Sequence, residues 1–252
     1  MTRRLFLSDV HLEACDHRFA AFERLLDEQA PQVDEIYLLG DICEIWIGDD
    51  DDTPLVQALA TCCARNAQQA ALYFMPGNRD FLLGEDFAKR AGLTRLPDPF
   101  RLPEGTLLSH GDALCTDDDA YQGVRAILRS QAWQDDMLTK SLTERRAFGR
   151  ALRERSVAAN ENKATNIMDV NAAATAHLLI ENRSKLLIHG HTHRPGIHQL
   201  ADDSKRVVLG AWERCAWWVE QKLEQRLEQS TGPTTQLNLH SHSIDYLARP
   251  KV

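Results

Sequence analysis

Five short apolar runs in this chain each stop at a residue able to hold a cation or a phosphate, and that repetition restricts the fold more than any other feature. Leu5-Phe6-Leu7 leads into Ser8-Asp9-Val10-His11, Ile36-Tyr37-Leu38-Leu39 into Gly40-Asp41, and Ala71 to Met75 into Pro76-Gly77-Asn78-Arg79-Asp80. Thr106 to Ser109 leads into His110-Gly111-Asp112, and Lys185 to Ile188 into His189-Gly190-His191-Thr192-His193-Arg194-Pro195. Runs this short and this apolar read as buried strands of a parallel sheet. The segments between them carry helical patterns, Phe19 to Gln29, Leu55 to Gln69 and a turn closing at Gly92, so the chain begins as β-α-β units. In α/β sheets the carboxyl ends of the strands are where ligands bind. One His or Asp there is ordinarily a hydrogen-bonded structural residue; five such endings point to a dinuclear metal site on a sheet edge.

The 252 residues suffice for one large α/β domain with an insertion, and the range 1–252 is read as a single domain. A net charge of −8 argues against a nucleic-acid partner, which would usually meet a basic surface. The six cysteines form no CxxC pair and no disulfide framework; reduced thiols in a cytoplasmic protein are expected. Met1-Thr2-Arg3-Arg4 runs straight into a strand without a signal-type apolar region. No protein partner is evident from the sequence.

Between about 116 and 165 the pattern turns helical: Tyr121 to Arg129, Trp133 to Leu142 and Arg145 to Val157, with a further helix expected over Ile167 to Glu181. This insertion is cationic (Lys140, Arg145, Arg146, Arg150, Arg153, Arg155, Lys163) and carries one apolar face from Leu128, Trp133, Met137, Leu138, Leu142, Phe148 and Leu152. It reads as a lid for an anionic, lipidic ligand or a contact with an anionic membrane surface, against the plainer reading of an ordinary surface helix. After His198, Arg206 to Leu209, Gly210-Ala211-Trp212 and Trp217-Trp218-Val219 look like strands of a second sheet, and Glu220 to Ser230 like a polar helix. The role of the 220–252 tail is open, and His240 and His242 are expected at the surface of a last edge strand.

The donors at the strand ends are carboxylate, amide and imidazole without thiolate, which suits Mn²⁺, Fe²⁺ or Mg²⁺ better than a structural zinc. Two such ions can share Asp41, bind phosphoryl oxygens and lower the pKa of an attacking water. At this point DVH, GD, GNRD, HGD and HGHTHRP together resemble the calcineurin-like metallophosphoesterases. That resemblance implies an α/β-β/α sandwich of two packed sheets. It implies one ion on Asp9, His11, Asp41 and His191, and a second on Asp41, Asn78, His110 and His189.

Most members of that superfamily carry His where this chain has Arg79. A His is suited to protonating an alkoxide leaving group, whereas a leaving phosphate, with a second pKa of about 6, needs its charge held. Arg79 therefore points to pyrophosphate cleavage. GNRDFLLG (Gly77 to Gly84), HGDALCTDDDAYQ (His110 to Gln122), NIMDVN (Asn166 to Asn171) and VVLGAW (Val207 to Trp212) resemble the lipid A pathway family of UDP-2,3-diacylglucosamine diphosphatases. That narrower likeness implies two Mn²⁺ ions, a lipid-linked nucleotide substrate and peripheral contact with the cytoplasmic face of the inner membrane. It also implies substrate contacts from Asn78, Arg79, Asp118, Ser156, Asn160, Lys163 and His189. Ser156, Asn160 and Lys163 independently share one helix face at i, i+4, i+7. Asp41, Arg79 and His193 are the expected catalytic residues, although His193 and Arg194 could equally serve only to fix the turn before Pro195.

Overall fold

A computed structural model describes residues 1–14, 17–161, 169–224 and 234–248. Strands β1 (Thr2–Leu7), β2 (Glu35–Leu38), β3 (Ala71–Phe74) and β4 (Leu93–Arg95) lie parallel, and β10 (Cys215–Glu224) and β11 (Thr234–Ser243) extend the sheet antiparallel beyond β1, giving the order β11-β10-β1-β2-β3-β4. A second sheet has the order β5-β6-β7-β9-β8, from β5 (Phe100–Arg101), β6 (Thr106–Ser109), β7 (Leu186–His189), β8 (Gly196–Gln199) and β9 (Lys205–Val208).

Strand side chains alternate faces, and the two faces of each sheet have different partners. In β1, Leu5 and Leu7 join the core under helices α1 (His17–Gln29), α2 (Pro54–Asn66) and α3 (Glu85–Ala91), while Phe6 points into the layer between the sheets. That layer holds Tyr37, Leu39 and Met75 from the first sheet and Leu108, Ile188 and Val207 from the second. Leu107 and Leu187 point the other way, onto Leu179 of α7 (Ala172–Glu181). The layers are therefore helix, sheet, sheet, helix, as the family resemblance implies.

The insertion forms α4 (Asp119–Leu128), α5 (Gln131–Thr139) and α6 (Leu142–Glu161). Its apolar face turns inward only in part: Met137 is buried, and Trp133 and Leu128 pack on the main core, while Leu138 and Phe148 stay exposed. Its cations are largely spent. Arg145 pairs with Asp50, Arg146 with Asp51 at 2.7 Å, and Lys140 with Asp136 at 2.8 Å. The acidic run after Asp41 thus seats α6.

Several expectations fail here for physical reasons. Trp217 to Val219 belongs to the first sheet, and Glu220 to Glu224 continues strand β10 where a helix is expected. Helix-prone Gln and Glu are overridden because Gln221 is buried, donating to Thr106 Oγ1 at 2.9 Å across the inter-sheet layer. Residues 225–230 of the expected helix lie outside the described residues. Gly210 to Trp212 is loop, and the Trp212 backbone N–H donates to the Asp9 carbonyl. Helix α7 begins at Ala172 with Asn171 as its cap, accepting from the Ala174 N–H at 3.0 Å; Asp169 and Val170 are not helical, and 167–168 lie outside the described residues. The short strands β4, β5 and β8 had no pattern long enough to show.

Candidate active site

Strands β1, β2 and β3 of one sheet and β6 and β7 of the other run so that their carboxyl ends meet at one edge of the sandwich. The chain turns sharply there. Five of the eight described non-glycine residues with positive φ are Asp9 (53°), His11 (53°), Asp41 (54°), His191 (65°) and His193 (56°). Each such turn costs of order 1 kcal/mol and persists only where the surroundings impose it, typically at functional sites. Asp9 and His11 therefore do not face one way as neighbours on an extended strand; each is turned into the site separately.

The ligand-type atoms fall into two triads, Asp9–His11–His193 and Asp41–His110–His191, each with its donor atoms within 4.8 Å of one another. Asn78 joins the second, its Oδ1 lying 3.0 Å from His110 Nε2 and 2.8 Å from His191 Nδ1. In the first, His11 Nε2 faces His193 Nε2 at 3.3 Å. His110 Nδ1 donates to the Leu39 carbonyl at 2.9 Å, so its Nε2 meets the Asn78 oxygen lone pair to lone pair unless a proton or a cation sits between. Burial disfavours the His110 cation, but the Asp41, Asp112 and Asp9 carboxylates outweigh it and hold its pKa up to about 9. For His191, burial and the neighbouring His110 charge push the pKa down to about 4. Carboxylates, an amide oxygen and imidazole nitrogens converging in this way fit a pair of divalent cations.

His189 does not join either triad. It is the last residue of β7, in register with Val208, fully buried, with Nδ1 held 2.8 Å from the Gly190 carbonyl. Burial pushes its pKa down to about 3. The expected ligands His189 and His191 are thus displaced by two residues: the structure brings together His191 and His193. The strand reaches one residue further than the apolar run suggests, and the backbone leaves the ladder only at Gly190.

Around the triads, buried carboxylates set the loops. Asp80 accepts from the N–H groups of Gly77 (2.8 Å) and Ile42 (2.7 Å), and burial together with Asp41 raises its pKa to about 6. Asp112 accepts from Tyr121 Oη at 2.9 Å and Arg125 Nε at 2.8 Å; with Arg129 also within 3.6 Å, it fastens α4 to the loop bearing His110. Glu44 Oε2 lies 2.8 Å from His11 Nδ1. Carboxylates behind a histidine fix its ring orientation. Glu44, three residues after Asp41, reads in the sequence as packing beside the site and not as part of its chemistry. Tyr121, Arg125 and Arg129 carried a sequence signal, the i, i+4, i+8 spacing of a single helix face.

Glycine is required where the loops cross. A Cβ on Gly77 would stand 2.2 Å from Asp41 Oδ1 and 2.3 Å from its backbone nitrogen. Gly77→Ala is expected to push Asp41 aside, costing about 1–3 kcal/mol of stability from overpacking and weakening metal binding at least roughly tenfold. Thermal melts with and without Mn²⁺ would check both effects.

Arg79 stands beside the second triad. Its backbone N–H donates to Asp41 Oδ1 at 2.8 Å, and its Nη2 lies 3.4 Å from Ser156 Oγ of α6. Arg79 lines a cleft of about 670 Å³ with His11, Asp41, Asn78, Asp118, Tyr121, Ser156, His191 and His193. Asp118 also caps α4, accepting from Tyr121 N–H at 3.1 Å. A narrower apolar recess opens from the same point between Ile45, Trp46, Ile47, Phe81, Trp133, Met137, Phe148 and Leu152. The Asn160 side chain and Lys163 lie outside what is described.

The calcineurin-like phosphoesterase family model matches residues 2–195. The chain belongs to that family. A UDP-2,3-diacylglucosamine hydrolase of Aromatoleum aromaticum is 48% identical over 218 residues, 82% of this chain and 88% of the relative. One from Aeromonas salmonicida is 46% identical over 241 residues, 91% of this chain and 94% of the relative. Salmonella typhi has a third, 42% identical over 82% of this chain and 90% of its own length. With family and site together, this is a metal-dependent hydrolase.

Proposed function

We propose that the chain hydrolyses the pyrophosphate bond of UDP-2,3-diacylglucosamine, releasing UMP and 2,3-diacylglucosamine 1-phosphate for lipid A synthesis. The observation that carries this reading is the position of Arg79, between the two triads and the mouth of the apolar recess. A cleft that holds the two triads beside apolar side chains (Val124, Leu128, Leu152), and an apolar recess meeting it at one guanidinium, suit a phosphate that has a nucleotide on one side and acyl chains on the other.

In this reading Asp9, His11, Asp41 and His193 hold one cation, and Asp41, Asn78, His110 and His191 hold the other. His191 and His193 take the places that the resemblance gave to His189 and His191. Such ions, Mn²⁺ in our proposal, supply positive charge against the phosphoryl oxygens and lower the pKa of water. The protein's part is orientation. Leu39 and Glu44 fix the His110 and His11 rings, and Asp80 fixes the backbone of the Asp41 turn. Arg79 holds the charge of the departing sugar phosphate, with Ser156 beside it. Asp118, Asn160 and Lys163 are proposed as further substrate contacts from the insertion, which acts as the lid.

The recess between α5, α6 and residues 45–47 is proposed for acyl chains. Val124, Ile127 and Leu138 on the insertion are exposed apolar side chains that suit a shallow contact with the cytoplasmic face of the inner membrane. Among the described residues no helix is long and apolar enough to cross a membrane.

The reaction should release UMP from UDP-2,3-diacylglucosamine in the presence of Mn²⁺. In ¹⁸O-water the label should enter UMP, since the water attacks the α-phosphorus. Label in the lipid phosphate, or faster turnover of a dinucleoside tetraphosphate, would overturn the assignment.

A further inference from the structure

Helix α6 sits on the loop that follows Asp41 through a ladder of contacts at helical spacing. Arg145 donates to the Ile47 carbonyl at 2.6 Å and to Asp50 at 2.7 Å. A Cβ on Gly149 would meet Ile45 at 2.7 Å, so the helix and loop touch there almost backbone to side chain. One turn further on, Arg153 reaches Glu44 through Nε at 2.7 Å and Glu13 through Nη2 at 2.7 Å.

Glu44 is the crossing point. Its Oε2 is 2.8 Å from His11 Nδ1, and its Oε1, occupied by Arg153, is 3.8 Å from Arg79 Nη1. The Glu44 carboxylate thus lies among three basic side chains, His11, Arg153 and Arg79. An anion that close to a guanidinium would ordinarily draw it into a tight, bidentate pair. Arg79 is not drawn in: its Nε is buried without a hydrogen-bond partner, its Nη1 stands off from Glu44 at 3.8 Å, and its Nη2 bond to Ser156 Oγ is long at 3.4 Å. The short contact to Glu44 Oε1, 2.7 Å, belongs to Arg153.

We propose that Arg153 is a positioning residue, occupying Glu44 so that the Arg79 guanidinium stays available to phosphate. The seat of the insertion is thereby coupled to the competence of the site: α6 brings Arg153 to Glu44 and Ser156 to Arg79 in one movement. The inference rests on the function proposed above only for the identity of the substrate. The competition among Arg153, Glu44 and Arg79 holds for any phosphate bound at the cleft.

The test uses the full chain loaded with Mn²⁺. Arg153→Ala should lower kcat roughly tenfold to a hundredfold, the range found for residues that orient a site from behind. It should weaken binding of glucosamine 1-phosphate, the phosphate-bearing end of the departing group, measured by calorimetry, by about tenfold. Mn²⁺ stoichiometry should be unchanged, and Arg153→Lys should restore most of the loss. The double variant Arg153→Ala, Glu44→Gln should bind glucosamine 1-phosphate better than Arg153→Ala alone, because a neutral amide no longer captures Arg79. Unchanged kcat and glucosamine 1-phosphate affinity in Arg153→Ala, parallel loss of Mn²⁺, or a double variant weaker than the single would each overturn the proposal. If the wild-type chain left UDP-2,3-diacylglucosamine intact, the substrate reading would fail. The same binding series, repeated with inorganic phosphate, would still decide the role of Arg153.

Discussion

Alanine in place of His191 or His193 is expected to reduce bound Mn²⁺ from two ions per chain to one and to cut turnover by about three orders of magnitude, the scale of losing a group that holds transition-state charge. His191 Nδ1 faces Asn78, and His193 Nε2 lies 3.3 Å from both His11 and Asp9. Removing either ring leaves its triad with one carboxylate and one imidazole. The backbone hydrogen bond from His191 N–H to Asp9, 2.9 Å, survives the substitution, so the loop and the fold persist. His189→Gln should behave in the opposite way. The side chain is buried in the β7 ladder beyond both triads, so the variant should keep two ions and lose about 1–3 kcal/mol of stability. Metal titration followed by electron paramagnetic resonance, together with thermal melts, separates the two outcomes. An ion lost from His189→Gln and retained by His193→Ala would restore the ligand register implied by the family pattern.

The contrast shows where the sequence is legible and where it is not. Strand ends are legible because burial demands apolar runs, and a polar residue that stops such a run must have a partner. Asp9, Asp41, Asn78 and His110 all follow from that rule. His189, His191 and His193 do not separate by it: all three follow one apolar run, and only the backbone turn at Gly190 decides which rings reach the triads. Sheet membership was illegible for a similar reason. The segment Glu220 to Glu224 has the composition of a helix, and what makes it strand is pairing with β1, more than two hundred positions earlier in the chain. The insertion lay between these extremes. Its helices follow from periodicity, but its charges look like a free cationic face until Asp50, Asp51 and Glu44 are placed opposite Arg145, Arg146 and Arg153. A charge run says nothing about its partners when they lie about a hundred residues away.

Arg79→Ala should separate phosphate handling from metal binding. The Arg79 contact to the metal-site residue Asp41 is made by its backbone N–H, at 2.8 Å, and any residue at this position retains it. Two Mn²⁺ ions should therefore remain while kcat on UDP-2,3-diacylglucosamine falls by about 10²–10³, the loss that follows from removing a preorganised donor at developing charge. The loss should depend on the leaving group. On bis(p-nitrophenyl) phosphate, whose departing phenolate carries no phosphate for a guanidinium to clamp, the same variant should lose well under that amount. Arg79→Lys should fall between, since an ammonium supplies the charge without the two-pronged geometry. Arg79→His should not substitute on the natural substrate, because a leaving phosphate gains little from a proton donor. Full activity of Arg79→His on UDP-2,3-diacylglucosamine, or equal losses on both substrates in Arg79→Ala, would show that charge on the departing group is not what Arg79 serves.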